Sequence, residues 1–141
     1  MSTQTKAEML NTLYQKYGLT KEDVFRSPQG WTIITRSGID KIQAGAKIQI
    51  NYEPVIVERE FIVLKAIGKM GDEIIQSFGE ADRKTNCRQT YPVAMAEKRA
   101  MSRIVLKLTG FYALGVFGED EADDFGTEAK KYKKELTKDT L

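Results

Sequence analysis

Histidine is absent from the sequence, and cysteine occurs once, as Cys87. Without imidazole, the chain cannot carry out Ser-His-Asp or Cys-His catalysis and offers no histidine ligand to a metal. A single cysteine forms neither an internal disulfide nor a structural zinc cluster. This cysteine usage is typical of a reducing intracellular compartment.

Long apolar runs and nucleotide-binding glycine motifs are missing as well. No stretch approaches the ~18–20 apolar residues of a membrane span, and the first ten residues lack the apolar core of a signal peptide. The chain has neither a Walker A sequence nor a dinucleotide-binding glycine fingerprint. We therefore expect a cytoplasmic protein with no membrane partner, no cofactor and no nucleotide-driven chemistry.

The residues that are present favour one folded domain with unevenly distributed charge. Of 141 residues, 41% are apolar and 30% are charged, which is enough for a packed core. Residues 1–118 carry 17 basic and 12 acidic side chains, whereas residues 119–141 carry 5 basic and 8 acidic ones. This division predicts a single nucleic-acid-binding domain over 1–118, followed by a tail over 119–141 that is first acidic and then rich in lysine.

Hydrophobic periodicity indicates an α+β fold. Thr5 begins a capping box for an N-terminal helix that ends at Gly18. Thr20–Phe25, with its Thr-x-x-Asp start, is predicted as a second short helix, and Ser37 as the cap of another. Helices therefore precede the sheet in this interpretation.

The middle of the chain predicts an antiparallel meander of about three to four strands, packed against a long C-terminal helix as a β-β-β-α core. Residues 47–53 alternate apolar and polar side chains, and at Pro54 the strand must end, bulge or lie at a sheet edge. Residues 55–66 and 73–78 supply the next strand segments, with a turn from Gly68 to Asp72 between them and Gly79 at the end of the second. Their connections are too short for crossover helices, which favours antiparallel pairing.

The strongest helix signal spans Pro92 to Thr109. At about 100° per residue, one side carries an apolar stripe, and the opposite side carries Arg99, Arg103 and Lys107 in a row spaced by four. Such a row can follow the repeating phosphates of a nucleic acid. The plainer alternative is a solvated helix face.

Residues 83–107 hold seven basic side chains against one acid, Glu97. This bias predicts a surface for an anionic partner. Glu97 is either buried and paired, or it simply suits the positive end of a helix. The candidate nucleic-acid contacts are Arg83, Lys84, Arg88, Lys98, Arg99, Arg103 and Lys107. Tyr52, near the presumed strand end at Pro54, is the aromatic that would stack on a base.

An acidic segment follows the basic helix by only a few residues. Its members are Glu119, Asp120, Glu121, Asp123, Asp124 and Phe125. Held near the helix, it is predicted to compete with phosphate for the same cations. Its phenylalanine among acids also resembles the tips by which single-strand binding proteins recruit other replication or recombination proteins. The alternative is a solvated tail that adds only solubility.

The order of these elements, together with one motif, resembles a known family. Gly30-Trp31 leads into the meander, a strand ends in Phe78-Gly79-Glu80, and a polar connector precedes the helix AMAEKRAMSR, residues 94–103. Over about residues 30–118, this pattern resembles the core of single-strand DNA annealing proteins. Those include the eukaryotic Rad fifty-two type and the phage recombination proteins of the Erf and Sak kind.

The resemblance implies a non-enzymatic protein that binds and anneals single-stranded DNA without ATP, in homologous recombination of the phage type. It implies a bacterial or phage-infected host cell as the setting, and a homo-oligomeric ring or filament as the assembly. By motif position it implies that Lys98, Arg99 and Arg103 face DNA.

Two other classes of function stay open. The same elements suit a non-enzymatic scaffold, or a single-strand binding protein without annealing activity. The run Glu80-x-Asp82-x-Lys84 after a strand is typical of metal-dependent nucleases, in which a metal activates water and a lysine stabilises the developing charge. No second carboxylate pair is clearly placed to complete such a site.

Overall fold

A computed structural model describes residues 5–83 and 92–121. It confirms the predicted α+β class: an antiparallel three-stranded sheet packs against a long helix, with helices before it. The elements are α1 (Lys6–Lys16), β1 (Val24–Arg26), β2 (Thr32–Ile34), α2 (Arg36–Ala46), β3 (Gln49–Val57), β4 (Phe61–Met70), β5 (Glu73–Asp82), α3 (Pro92–Thr109), a 3-10 turn (Tyr112–Leu114) and β6 (Val116–Gly118).

Strands β3, β4 and β5 form the antiparallel meander, with β4 in the centre. The register of β3 shifts between Pro54 and Ile56, so the prediction of a bulge or edge at Pro54 is confirmed on both counts. The segment predicted over residues 55–66 covers the end of β3, a bend and the first part of β4, and both β4 and β5 continue past the predicted ends, to Met70 and Asp82. Gly68 and Gly79, which we interpreted as the beginning of a turn and the end of a strand, lie inside strands.

These two glycines let helix α3 lie directly on the meander. A Cβ on Gly79 would overlap the carbonyl oxygen of Ala96 and the backbone of Ala100, and one on Gly68 would overlap Ile104. Glycine inside a strand often marks such a close approach of another backbone. The glycines therefore fix the distance between helix and sheet.

A second sheet is ordered β1-β2-β6, with β2 and β6 parallel, and its strand β6 lies against α3, where Gly118 faces Ser102. The core between the two sheets includes fully buried Ile34, Ile104 and Phe111. The ring of Phe111 stacks on that of Tyr14 in α1, with centroids 6.0 Å apart. Within the described ranges, no helix combines the length and the apolar composition needed to cross a membrane.

The ends of the N-terminal elements correct two predictions. Thr5 caps α1 as predicted, since its Oγ1 accepts from the N–H of Glu8 at 3.2 Å. Helix α2 begins after Thr35 rather than at Ser37, because Thr35 Oγ1 accepts from the N–H of Gly38 at 3.1 Å. The short helix predicted over Thr20–Phe25 is wrong, since the chain turns at residues 21–23 and then enters β1.

The Thr-x-x-Asp contact behind that prediction nevertheless forms, in a turn. The buried Asp23 carboxylate accepts from the N–H of Thr20 at 2.9 Å and from Lys41 Nζ at 2.7 Å. Its backbone carbonyl accepts from the N–H of Thr35 at 2.8 Å. One aspartate thus ties the turn to β2 and α2. The lysine, followed by the backbone N–H, holds the pKa of Asp23 below its ordinary value.

We expect Asp23→Asn to lower the free energy of unfolding by about 1–2 kcal/mol at pH 7, because a charge-assisted hydrogen bond is lost. A depressed pKa contributes stability above the ordinary aspartate pKa of about 3.9, and that contribution disappears as pH falls through the lower folded pKa. The difference in free energy of unfolding between wild type and Asp23→Asn, measured by urea denaturation, should therefore become smaller below about pH 4. Asp40→Asn, at the exposed Arg36–Asp40 pair, is the control and should change little. A pH-independent difference for Asp23→Asn would contradict this account.

Candidate nucleic-acid interface

The basic row of α3 lies along the outer edge of β5. Arg99 Nη1 donates to the backbone carbonyl of Glu80 at 2.7 Å, and Arg103 Nη1 donates to that of Phe78 at 2.6 Å. Lys107 Nζ donates to Ser77 Oγ at 3.3 Å. β5 is an edge strand of the meander. The row therefore supplies donors to a sheet edge that no strand of the described chain pairs.

The spacing of the row follows from the geometry of a helix lying antiparallel to a strand. Four residues of helix rise about 6 Å, and two residues of strand rise about 6.6 Å. Arg99 and Arg103 therefore meet carbonyls two residues apart, those of Glu80 and Phe78. Covered edges are protected from pairing with other strands, which gives the row a structural role.

Arg103 is the centre of an ion-pair network. Its Nη1 and Nη2 donate to both carboxylate oxygens of Glu80, at 2.8 and 2.9 Å, and its Nε donates to Glu121 at 2.6 Å. The bidentate geometry is the strong form of this interaction. The hydrogen bond from Arg103 is the main cause that lowers the pKa of Glu80, and the same bond raises the pKa of Arg103.

The prediction that the row occupies the face opposite the core is therefore wrong for its two arginines. Arg99 is 1% exposed, and the Arg103 side chain is 20% exposed and bound on three sides. Helical periodicity assigned them to a polar side but could not show that this side meets an edge strand. The one signal in the sequence was Glu80, at the end of the Phe78-Gly79-Glu80 motif: its carboxylate is the ion-pair partner of Arg103.

Three predicted cations stay at the surface. Arg83 is exposed just after β5, Lys98 is half-buried in α3, and Lys107 is exposed with its ammonium 5.3 Å from the ring centre of Tyr112. The predicted contacts Lys84 and Arg88 lie outside the described residues. Glu97 is exposed, so it is not the buried pair, and as the sixth residue of α3 it also lies beyond the first turn, where the helix end favours a carboxylate.

Tyr52 does not lie at a strand end. It sits within β3, which continues past Pro54 to Val57, and it packs half-buried against the main core. Burial raises the pKa of its hydroxyl. The sequence placed Tyr52 near a terminus because Pro54 was expected to be able to stop the strand, whereas the edge position of β3 accommodates it.

The acidic segment begins inside the folded domain. Asp120 and Glu121 are buried, and Glu119 is half-buried, so packed structure extends past the predicted boundary at Gly118. Ser102 Oγ donates to Asp120 at 3.5 Å, beside the Arg103–Glu121 pair. Asp123, Asp124 and Phe125 lie outside the described residues.

The face of the meander opposite α3 carries apolar side chains that the sequence did not single out together. Phe78 and Ile74 on β5 are 48% and 60% exposed. Lys65 on β4 is the register partner of Phe78, so the two side chains share this face. Alternation places buried Ser77 and Gly79 on the other face, toward the helix. Lys65 Nζ is ion-paired with Glu53 at 3.1 Å, so the exposed ring of Phe78 is the part of this face on which a base could stack.

The carboxylates of the nuclease alternative are not assembled into a cation site in the described chain. Glu80 is held by Arg103. Within residues 5–83 and 92–121, no three cysteine, aspartate or glutamate side chains are grouped as metal ligands would be. What the described geometry provides is binding surface: cations at the end of β5 and on α3, and an exposed phenyl ring on the face of the meander opposite α3.

Comparisons with protein-family models, curated proteins and solved structures find no match for this chain.

Proposed function

We propose that the protein binds single-stranded DNA and anneals complementary strands without ATP, as in phage-type recombination in the cytoplasm of a bacterial or infected host cell. The observation that carries the proposal is the charge bias of residues 83–107, seven basic side chains against one acid. The likeness of the element order and of the 94–103 helix to annealing proteins supports the same function.

The contacts of the described residues support a division of roles within this basic segment. Arg99 and Arg103 hold the β5 edge, so the contacts to phosphate fall to Arg83, Lys98 and Lys107. The exposed ring of Phe78 lies on β5, on the face of the meander opposite α3. A DNA single strand held there by its phosphates would keep its base edges available for pairing. A protein that anneals DNA needs this availability, whereas one that only sequesters DNA does not.

Self-association belongs to the same proposal. The outer edge of β3 has no strand partner in the described chain, and Val55 and Val57 on it are 54% and 63% exposed. The opposite edge, β5, is covered by the arginines. One open and one covered edge favour an assembly built from copies of the chain, in a ring or filament, because open edges attract further strands.

The test is fluorescence anisotropy of a labelled single-stranded oligonucleotide with wild type and with Arg83→Ala/Lys98→Ala. If wild type neutralises about four phosphates, log affinity should fall against log salt with a slope near −3, from about 0.7 per phosphate. The double variant should lose about 1.4 of that slope and bind all sequences more weakly. Lys16→Ala/Lys21→Ala, which removes the same charge at exposed positions, is the matched control and should bind like wild type.

Three further outcomes separate the alternatives. Annealing of complementary oligonucleotides in EDTA, with no nucleotide added, supports the proposal, and strand cleavage that starts with magnesium revives the nuclease alternative. Binding without annealing identifies a single-strand binding protein. A folded double variant with wild-type affinity and salt slope would overturn the assignment of the site. Light scattering at micromolar concentration should show a mass above that of the 16.0 kDa chain.

A further inference from the structure

A pocket lies between α1, the β1–β2 hairpin and the corner before β6. Its volume is about 320 Å³, near the lower end of the roughly 300–1,000 Å³ typical of small-molecule sites. None of its lining residues belongs to α3 or β5, so it is separate from the surface proposed above. The lining residues are Lys6, Ala7, Leu10, Arg26, Gly30, Trp31, Thr32 and Gly115.

The aromatic wall of the pocket is held in place by the hairpin. Trp31 donates its backbone N–H to Ser27 Oγ at 3.0 Å, and its carbonyl accepts from the N–H of Ser27 at 2.8 Å. The indole meets the ring of Phe117 edge-on, with centroids 6.1 Å apart. It is still 37% exposed. This is a fixed, partly open aromatic surface, the kind on which a planar ring stacks at low cost in entropy.

The charge of the pocket has one sign. Lys6 and Arg26 line it, and no aspartate or glutamate does. Lys6 Nζ reaches across to the corner, 3.3 Å from where a Cβ on Gly115 would lie. No described carboxylate forms a salt bridge with either cation. Two cations left without a counter-charge around one cavity favour an anion there.

From this combination we infer that the pocket binds a nucleotide, with the base against Trp31 and Leu10 and the phosphate between Lys6 and Arg26. The chemistry requires both parts: the indole and leucine suit a flat ring, and the paired cations suit a phosphate. The cavity has room for a small ligand of this kind rather than for a folded partner. The nucleotide is either free or a unit of a single strand.

Trp31 is the one tryptophan of the chain, so its fluorescence reports on this pocket directly. The full chain is titrated with thymidine 5′-monophosphate, thymidine, inorganic phosphate and a thymidine oligonucleotide. Stacking should quench the emission with the monophosphate, the oligonucleotide or both, and thymidine should bind at least about tenfold more weakly. Lys6→Ala/Arg26→Ala should weaken that quenching about tenfold or more, whereas Lys16→Ala/Lys21→Ala should leave it unchanged.

The arms distinguish the sources of the nucleotide. Quenching by the free monophosphate identifies a nucleotide site, and quenching by the oligonucleotide alone identifies a contact to a strand. Equal quenching by thymidine, inorganic phosphate that competes as well as the monophosphate, or an unchanged Lys6→Ala/Arg26→Ala titration would each overturn the inference. So would the absence of quenching with every probe. The Arg83→Ala/Lys98→Ala variant separates this result from the proposed function, since it should retain quenching by the monophosphate.

Discussion

Replacing Arg103 with alanine is expected to lower the free energy of unfolding by about 3 kcal/mol at pH 7. The guanidinium binds Glu80, Glu121 and the carbonyl of Phe78 at once. Its removal leaves the buried Glu121 carboxylate unpaired and exposes an edge carbonyl. Breaking a buried pair from one side costs about 3–5 kcal/mol, and the partial exposure of Glu80 places this case at the lower end. Urea denaturation followed by circular dichroism measures the change.

The controls for this prediction lie in the same row. Lys107→Ala removes an exposed cation with one hydrogen bond of 3.3 Å, and it should cost less than about 1 kcal/mol. Arg103→Lys keeps the charge but not the planar fork, so its stability should fall between those of wild type and alanine. Arg103 lowers the pKa of Glu80. The difference in free energy of unfolding between wild type and Arg103→Ala should therefore become smaller as pH falls and Glu80 is protonated. If Arg103→Ala were as stable as wild type, the row would have no structural role.

The arginine row shows why the fold was more predictable than the site. Periodicity and capping residues specify local structure, and the helix predicted from Pro92 to Thr109 has the same limits as α3. Whether a polar helix side faces water or a strand edge depends on the tertiary arrangement. Arg99 and Lys107 are both basic and both belong to the row, yet one is buried and the other exposed. A single sequence holds no local signal that separates them.

The two glycines inside strands show a similar limit. The sequence predicted a turn starting at Gly68 and a strand ending at Gly79, because glycine weakens the interior of a strand unless a close contact requires it there. The structure supplies the requirement: the backbone of α3 rests on Gly79, and the side chain of Ile104 rests on Gly68. The same uncertainty placed Tyr52 near a strand end and drew the domain boundary at Gly118, before the buried Asp120. Each difference arises where a long-range contact overrides a local preference.

Gly79→Ala is expected to lower the free energy of unfolding by about 3 kcal/mol, or the melting temperature by about 10 °C. In a strand with open space, alanine would stabilise the chain by restricting its unfolded state. Here the added methyl group would overlap the Ala96 carbonyl oxygen and the backbone of Ala100. A helix backbone cannot yield as a flexible side chain does, so α3 must move off the meander and leave a void.

The matched control for this test is Gly45→Ala. Gly45 lies in α2, where the nearest obstacle to a Cβ is the ring of Tyr17 at 3.2 Å. That ring can shift by a few tenths of an ångström, and alanine gains up to about 1 kcal/mol over glycine in a helix. We therefore expect Gly45→Ala to match or exceed wild-type stability, while Gly79→Ala falls well below it. Calorimetry of both variants tests this. If Gly79→Ala had the same melting temperature as wild type, α3 and β5 would not be in close contact. The basic row of α3 could not then reach the β5 edge.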